Sequence, residues 1–300
     1  MKQTGIITDS HSGISAEEAE RLGIFVLPMP FYIDGVCCYE GVTLSRETFF
    51  EKQRAGAKIT TSQPSPTEVM ALWDEALAEY ETALYMPISS GLSGSFATAA
   101  ALAQDEKYEG RVFVIDHGQV ATPLHRMVLD AAELIEKGYS AAKIQEILEK
   151  AKEQMVIYIG VQTLEHLKKG GRITPAAAAL GSMFNIRPVL RLETGKLDAY
   201  KKCHGFLKAR KTMIETMQQE LKTRFREAAE AGMLHLLAAS SASCEETESW
   251  RREIETAFPG LPLMLDDLTL GVSCHIGEGG LGIGFAAKPE FAAKMCGRTV

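Results

Sequence analysis

Ala83-Leu84-Tyr85-Met86-Pro87-Ile88-Ser89-Ser90-Gly91-Leu92-Ser93-Gly94-Ser95 is the stretch on which the reading of this chain turns. An apolar run of strand length passes directly into small, hydroxylated residues, and a helix is expected to follow. A strand that turns into a helix through serine and glycine is half of a βαβ unit. The same turn sets hydroxyls and free backbone N–H groups at a helix start, where orphan donors and the positive end of the helix dipole favour an anion. Thr61-Ser62-Gln63-Pro64-Ser65 has the same texture and the same expected position before a helix.

The pattern repeats on both sides. Gly5-Ile6-Ile7-Thr8 reads as a buried strand ending at Asp9-Ser10, and Ser15 with Glu18 makes a capping box for a short helix that stops at Gly23. Ile24-Phe25-Val26-Leu27-Pro28 is the next strand. Ser65-Pro66-Thr67-Glu68 is a second capping box with Pro66 at the first helical position, for a helix expected to reach about Tyr80. Another strand is expected over 111–116. Strands alternating with helices predict an α/β fold, a parallel sheet with helices on both faces. Ligands of such sheets sit beyond the carboxyl ends of the strands, and Asp9-Ser10, Ser89-Ser90 and Asp116-His117 all fall there.

After a helical stretch over 141–153 the texture changes. Val156-Ile157-Tyr158-Ile159 opens a second half, followed by Gly170-Gly171-Arg172-Ile173 and an alanine-rich helix opened by Thr174-Pro175. Strands over 185–192 and 197–203, flanking Gly195, predict a hairpin. A long amphipathic helix over 206–230, a strand over 233–240, a helix containing Trp250 and a last strand over 282–286 complete it. A hairpin among helices predicts a mixed α+β domain, with the boundary near residue 155: an N-terminal domain of residues 1–155 and a C-terminal domain of residues 156–300.

Composition narrows the function. With 46% hydrophobic and 24% charged residues over 300 positions, the chain can bury a substantial core. A net charge of −7 argues against a general nucleic-acid binder, which needs a basic face. No run approaches the roughly 18 apolar residues of a membrane span, and Met1-Lys2-Gln3-Thr4 leads straight into a strand, so no signal peptide is expected. The six cysteines form no C-x-x-C pair and the seven histidines no H-E-x-x-H arrangement. Neither a disulfide framework, a metal site nor a cofactor is expected, and a cytoplasmic location is.

Three segments admit more than one reading. Gly91-Leu92-Ser93-Gly94-Ser95 is one residue short of the nucleophile elbow G-x-S-x-G. It is read as an anion cradle, a plain helix cap, or the nucleophile of a serine hydrolase with His117, His204 or His275 as base. Gly277-Glu278-Gly279-Gly280-Leu281-Gly282-Ile283-Gly284 looks like a phosphate loop, but it lacks the lysine and precedes a strand; a glycine-rich turn fits better. Lys168-Lys169-Gly170-Gly171-Arg172 either complements a helix dipole or forms a basic patch for an anionic or protein partner.

Taken in order, Thr8-Asp9-Ser10, Thr61-Ser62-Gln63-Pro64-Ser65, Ser90-Gly91-Leu92-Ser93-Gly94, Thr163-Leu164-Glu165-His166-Leu167-Lys168-Lys169-Gly170-Gly171-Arg172-Ile173, His275-Ile276-Gly277 and Gly280-Leu281-Gly282-Ile283-Gly284-Phe285 resemble the DegV family over nearly the whole chain. The resemblance implies a two-domain α/β protein that encloses one long-chain fatty acid between its domains. It implies that the acid is presented to a separate, ATP-dependent fatty acid kinase subunit, which makes an acyl phosphate for phospholipid synthesis. By the same resemblance Thr61, Ser93 and His275 hold the carboxylate, with Ser62, Gly94 and Ser95 beside them, and Arg172 is linked to docking of the kinase. Two other functions remain in view: a serine hydrolase or acyltransferase using Ser93 with His275, and a carrier or sensor of another amphipathic carboxylate. Transient membrane contact is compatible with the resemblance.

The chain departs from that pattern at three histidines. His11 stands where threonine is usual, His117 where serine is usual, and His204 where arginine is common. Arginine is always charged and forks onto phosphate, whereas histidine titrates near neutrality. His204 is therefore the position at which partner docking is most exposed to change.

Overall fold

The structure, a computed structural model, describes residues 2–175, 186–193 and 196–296. The first half runs β1 (Lys2–Asp9), α1 (Ala16–Leu22), β2 (Ile24–Leu27), β3 (Phe31–Ile33), β4 (Val36–Cys38), α2 (Arg46–Arg54), β5 (Ile59–Thr61), α3 (Pro66–Glu79), β6 (Tyr80–Met86), α4 (Ser95–Leu102), β7 (Val112–Val114), α5 (Thr122–Glu136) and α6 (Ala141–Ala151). β2-β1-β6-β7 form a parallel sheet in that order, with Ile6 between Ile24 and Leu84. The side-chain period of two sorts the strands cleanly. Ile7, Ala83, Tyr85 and Val112 pack on Val69 and Trp73 of α3 and Ala99 of α4. Ile6, Leu84 and Met86 face Leu124 and Val128 of α5 and Leu148 of α6. The α3 capping box forms in full, Ser65 and Glu68 each closing on the other's backbone N–H.

The second half runs β8 (Met155–Gly160), α7 (Glu165–Gly170), β9 (Ile186–Glu193), β10 (Lys196–His204), α8 (Phe206–Lys222), α9 (Arg226–Glu230), β11 (Leu234–Ser240), α10 (Cys244–Ala257), β12 (Leu263–Asp267), α11 (Leu270–Ile276), β13 (Leu281–Ala287) and α12 (Pro289–Cys296). Its six strands lie in the order β10-β9-β8-β13-β11-β12, antiparallel except for β11 beside β12. One face, with Val156, Tyr158, Leu236 and Phe285, packs on Met213 and Met217 of α8 and Trp250 of α10. The other turns inward. α5 and α6 fill part of the space between the sheets, and their core joins Ile6 and Leu84 to Leu237 and Ala286. Each such leucine or isoleucine, fully buried, stabilises by roughly 1.5–3 kcal/mol.

Of the features that depart from the sequence-based reading, among them the strand Leu263–Asp267 and the helix Leu270–Ile276, two reshape the core. The helix expected over 206–230 is broken: α8 ends at Lys222 and α9 begins at Arg226. Phe225, with no exposed surface, turns into the core against Phe285, and Arg224 reaches back to Glu193 and the Met155 carbonyl. A continuous helix would forgo those contacts. The second is a small antiparallel sheet, β4-β3-β5, that no pattern announced. It buries Phe31, Ile33 and Cys38 against Phe49 and Phe50 of α2 and Leu270 and Cys274 of α11. Polar contacts reinforce the bridge. Arg46 donates to the Leu268 carbonyl at 2.7 Å, Glu40 accepts the Leu270 N–H at 2.7 Å, and Gln53 donates to the Ser273 carbonyl at 3.2 Å. The alanine-rich helix expected after Pro175 and the turn at Gly195 lie outside the described residues.

Candidate functional site

An apolar cavity lies between the inner face of the six-stranded sheet and the carboxyl ends of β1 and β6. That end of the parallel sheet is its topological switch point, where the chain leaves β1 toward one side and β6 toward the other. The walls are aliphatic: Ile88, Val120, Ile157, Leu192, Leu237 and Leu268 are among the lining side chains.

The glycines of β13 shape the floor. Leu281, Ile283 and Phe285 point to the outer core, so Gly282 and Gly284 fall on the inner face. Gly282 lies between Ile159 of β8 and Ala239 of β11 and leaves a channel along the sheet. The loop before this strand is no phosphate cradle. Gly279 N–H and Gly280 N–H are both taken by Ser241, through its carbonyl at 3.1 Å and its hydroxyl at 2.9 Å.

Polar groups from both halves meet on one part of the wall. Thr61, the last residue of β5, and His275 of α11 are joined through Oγ1 and Nε2 at 3.0 Å. Both line the cavity with Ser62, Ser93 and Arg172. Burial pushes the His275 ring down to about 4, and the nearby Arg172, His11 and His166 push the same way, so the ring is neutral at neutral pH. Its Nδ1 is buried without a hydrogen-bond partner among the described residues.

Ser93 leads into α4. Its Oγ accepts the Ser95 N–H at 3.2 Å and lies 2.9 Å from the Ser95 hydroxyl. Ser95 and Gly94 stand beside Ser93 but do not line the cavity; Gly94 faces Gln63, whose Oε1 a β-carbon there would approach to 2.7 Å. Arg172 is half-buried, its Nε donating to the Leu92 carbonyl at 3.2 Å and another nitrogen to the Gly170 carbonyl. The guanidinium thus ties α7 to the serine–glycine turn. His204 is set apart: it ends β10 opposite Ile186, is exposed, and does not line the cavity.

His117 is deeply buried beside this site. Its Nδ1 accepts the Gln119 N–H at 3.0 Å, and burial holds it down to about 4. Ala121 follows with φ 55° and ψ −143°, a combination L-residues seldom adopt, and lines the cavity where α5 begins. Asp116 is buried in part, yet Ser90 and Lys152, bonded at 2.7 and 3.1 Å, hold its carboxyl below the usual range.

Comparison with protein families matches residues 3–288 to the family described as "Uncharacterised protein, DegV family". The chain belongs to the DegV family. A DegV domain-containing protein of Deinococcus radiodurans is 36% identical over 215 residues, 71% of this chain and 76% of that one. Among solved structures, a DegV family protein from Thermus thermophilus described by its fatty acid binding superposes with a TM-score of 0.84 at 30% identity, covering 95% of this chain and 99% of the other. DegV of Bacillus subtilis, described as a fatty acid binding protein, gives 0.82 at 26% identity, covering 96% and 100%. The observed α/β DegV fold, a parallel N-terminal sheet with a mixed C-terminal sheet, is that of these proteins.

The sequence-based reading of the site omitted His11, Gly271 and Gly282, all of which line the cavity. The alternation Gly280-Leu281-Gly282-Ile283-Gly284 was the available signal for the last: period two is a strand signature, and glycine on one face leaves a groove.

Proposed function

We propose that this chain binds one long-chain fatty acid in the cavity, its carboxylate held by Thr61, Ser93 and His275 with Ser62, Gly94 and Ser95 close by. The single observation that carries the reading is an aliphatic cavity on whose wall Thr61, His275 and Ser93 converge. The fatty acid binding described for the Thermus thermophilus and Bacillus subtilis relatives supports it. Hydroxyl and imidazole donors satisfy a carboxylate, while alkyl burial at ~0.8 kcal/mol per methylene supplies affinity. A sixteen-carbon chain gains roughly 10 kcal/mol on that scale, before the costs of association. Denaturing extraction of protein purified from a bacterial host, followed by mass spectrometry, is expected to release about one fatty acid per chain. Lipid-free extracts, together with no thermal shift on adding fatty acids, would overturn the reading; another amphipathic carboxylate in the extract would make the chain a carrier or sensor of that ligand.

The chain acts without catalysis of its own and presents the acid to a separate, ATP-dependent fatty acid kinase subunit, in the cytoplasm. The partner reading rests on the family resemblance and on Arg172 at the cavity wall. Residues 1–155 and 156–300 act as its two domains: strands of the parallel sheet all precede the boundary, and the first strand of the mixed sheet, Met155–Gly160, crosses it by one residue. No helix among the described residues is long and apolar enough to cross a membrane, so any membrane contact is peripheral in this reading.

The hydrolase reading has weaker support. Ser93 is bonded to Ser95 and His275 to Thr61, and a ring whose pKa is near 4 is a poor base at neutral pH. A fluorophosphonate probe should leave Ser93 unlabelled, and Ser93→Ala should weaken fatty acid binding by about 1–3 kcal/mol, the scale of a hydrogen bond to a charged group. Stoichiometric labelling of Ser93 would favour the hydrolase.

A further inference from the structure

The cavity wall carries one polar ring that the carboxylate site leaves unused. His11 sits in the turn after β1, is 7% exposed, and lines the cavity. Its backbone is held from two directions. Asp9, with no exposed surface, accepts the His11 N–H at 2.9 Å on one carboxylate oxygen and the Ile88 N–H at 2.7 Å on the other. Ala121 N–H donates to the His11 carbonyl at 2.9 Å. The ring is another matter. Nδ1 stands 3.2 Å from Asp9 Oδ1 but forms no hydrogen bond with it or with any other described residue. Nε2 faces α11 at Gly271, where a β-carbon would stand 2.6 Å away, so a glycine there admits the ring.

Gly271 and His275 are four residues apart on α11 and share a face of that helix. The His11 ring therefore lies about one helical turn, roughly 5 Å, along the wall from the carboxylate site. Nδ1 thus has the Asp9 carboxylate beside it, whereas Nε2 has no hydrogen bond among the described residues, and an imidazole nitrogen left so in an apolar wall carries a desolvation cost that an alkyl chain cannot offset. A hydroxyl can offset it, because it donates or accepts according to the tautomer the ring adopts.

We infer that His11 is a second polar station in this cavity, and that the ligand class it selects is a fatty acid hydroxylated on one of the first few carbons after the carboxyl. This rests on the fatty acid reading above and narrows it. Asp9 is the positioning residue, fixing the turn that presents the ring.

The test measures dissociation constants of hexadecanoate and its 2-hydroxy and 3-hydroxy analogues for the delipidated full chain and for His11→Phe. The wild type should favour one hydroxy acid over hexadecanoate by roughly 3- to 10-fold, the worth of one added hydrogen bond. His11→Phe should still bind hexadecanoate and lose the preference. If that variant does not fold, the imidazole signals of His11 in the wild type give the same readout: the hydroxy acid should shift them and hexadecanoate should not. A wild-type preference for hexadecanoate, a hydroxy preference that survives in His11→Phe, or ring signals indifferent to the hydroxyl would each overturn the inference. Binding of none of the three acids would overturn the fatty acid reading itself, and this inference with it.

Discussion

Gly170 ends α7 flat against the imidazole of His275: a β-carbon at that position would stand 2.0 Å from Nδ1. The ring is enclosed, and its other nitrogen is committed to Thr61, so it has no free direction in which to move. The glycine thus sets the position of a side chain 105 residues further on, in a different helix.

Gly170→Ala should therefore weaken fatty acid binding by about 1–3 kcal/mol, the cost of misplacing one charge-assisted hydrogen bond. The neighbouring Gly171 supplies the contrast. It has φ +68° and nothing within 4 Å of a would-be β-carbon, so Gly171→Ala should cost stability, roughly 1 kcal/mol, and leave affinity alone. Titration calorimetry with urea unfolding on both variants separates the two effects; equal affinity in Gly170→Ala and the wild type would refute the steric argument.

Gly282 and Gly284 make a second contrasting pair. A β-carbon at Gly282 meets only ordinary contacts, 3.7 Å or more, whereas one at Gly284 would lie 2.2 Å from Ile157 Cδ1 and 2.4 Å from the Val156 carbonyl oxygen. Gly282→Val should fold, fill the channel, and shift the bound lipid toward shorter chains, at ~0.8 kcal/mol for each methylene no longer accommodated. Gly284→Ala should instead destabilise the protein by about 1–3 kcal/mol through overpacking. Mass spectrometry of co-purified lipid reads the first effect; an unchanged chain-length distribution in Gly282→Val would place the acyl chain elsewhere.

These positions show which parts of the structure were legible beforehand. The parallel sheet was, because its strands are continuous apolar runs and Ser15, Ser65 and Gly23 mark the helix ends by local chemistry. The small sheet was not: its strands are three residues long, too short for any period to register. α11 was hidden for another reason. Leu270 and Cys274 face the small sheet's core while Gly271, Val272 and His275 face the cavity, so it has no polar face to reveal its helical period. The Thr61–His275 contact spans 214 positions and follows from no local pattern, so only the family resemblance named both residues. Arg172 was legible as a helix-terminal cation, but its place on the cavity wall depends on the Leu92 carbonyl it reaches.

Acid should destabilise the protein through its buried histidines. His117 and His275 are held near 4 by burial, against about 6.5 in an unfolded chain, so between these values the unfolded state binds more protons. Their contribution is complete above about pH 6.5 and is lost as the pH falls toward 4. At pH 5 each costs on the order of 2 kcal/mol by that linkage. Urea midpoints at pH 7 and pH 5 should draw together in His117→Asn relative to the wild type; an undiminished acid loss in the variant would assign the effect to other groups.

Opposite behaviour is expected at His125. Burial works against its protonation, but Asp266 at 3.1 Å and Glu18 at 2.9 Å outweigh it and raise the ring above its ordinary value. The ring joins α1 and β12 from its place on α5, so the charged form links the two halves. A raised folded value means stability fully present below about pH 6.5 and lost as the pH rises through the shifted value. His125→Gln should flatten the decline in urea midpoint on the alkaline side of neutrality; a decline as steep as the wild type's would count against the linkage.

The kinase coupling can be tested at Arg172 and His204, which sit in different surroundings. Phosphorylation of a bound carboxylate places a dianionic group at the polar end of the cavity, where cations must receive it. The Arg172 guanidinium has five N–H donors, engages the Leu92 and Gly170 carbonyls, and lines that part of the wall. Arg172→Ala should therefore impair acyl phosphate formation more than it impairs fatty acid binding. Lysine should restore it only in part, because an ammonium cannot hold both carbonyls and fork onto phosphate. His204, exposed at the end of β10 and away from the cavity lining, can act only through a partner. His204→Arg should preserve or raise phosphorylation, because a guanidinium forks onto phosphate and an imidazole does not. The assay supplies ATP, a kinase subunit from the same organism and lipid-loaded protein, and follows acyl phosphate by hydroxylamine trapping. Equal phosphorylation in the wild type and Arg172→Ala would refute the role of Arg172, and no acyl phosphate from either the wild type or His204→Arg, despite bound lipid, would show a fatty acid carrier uncoupled from the kinase.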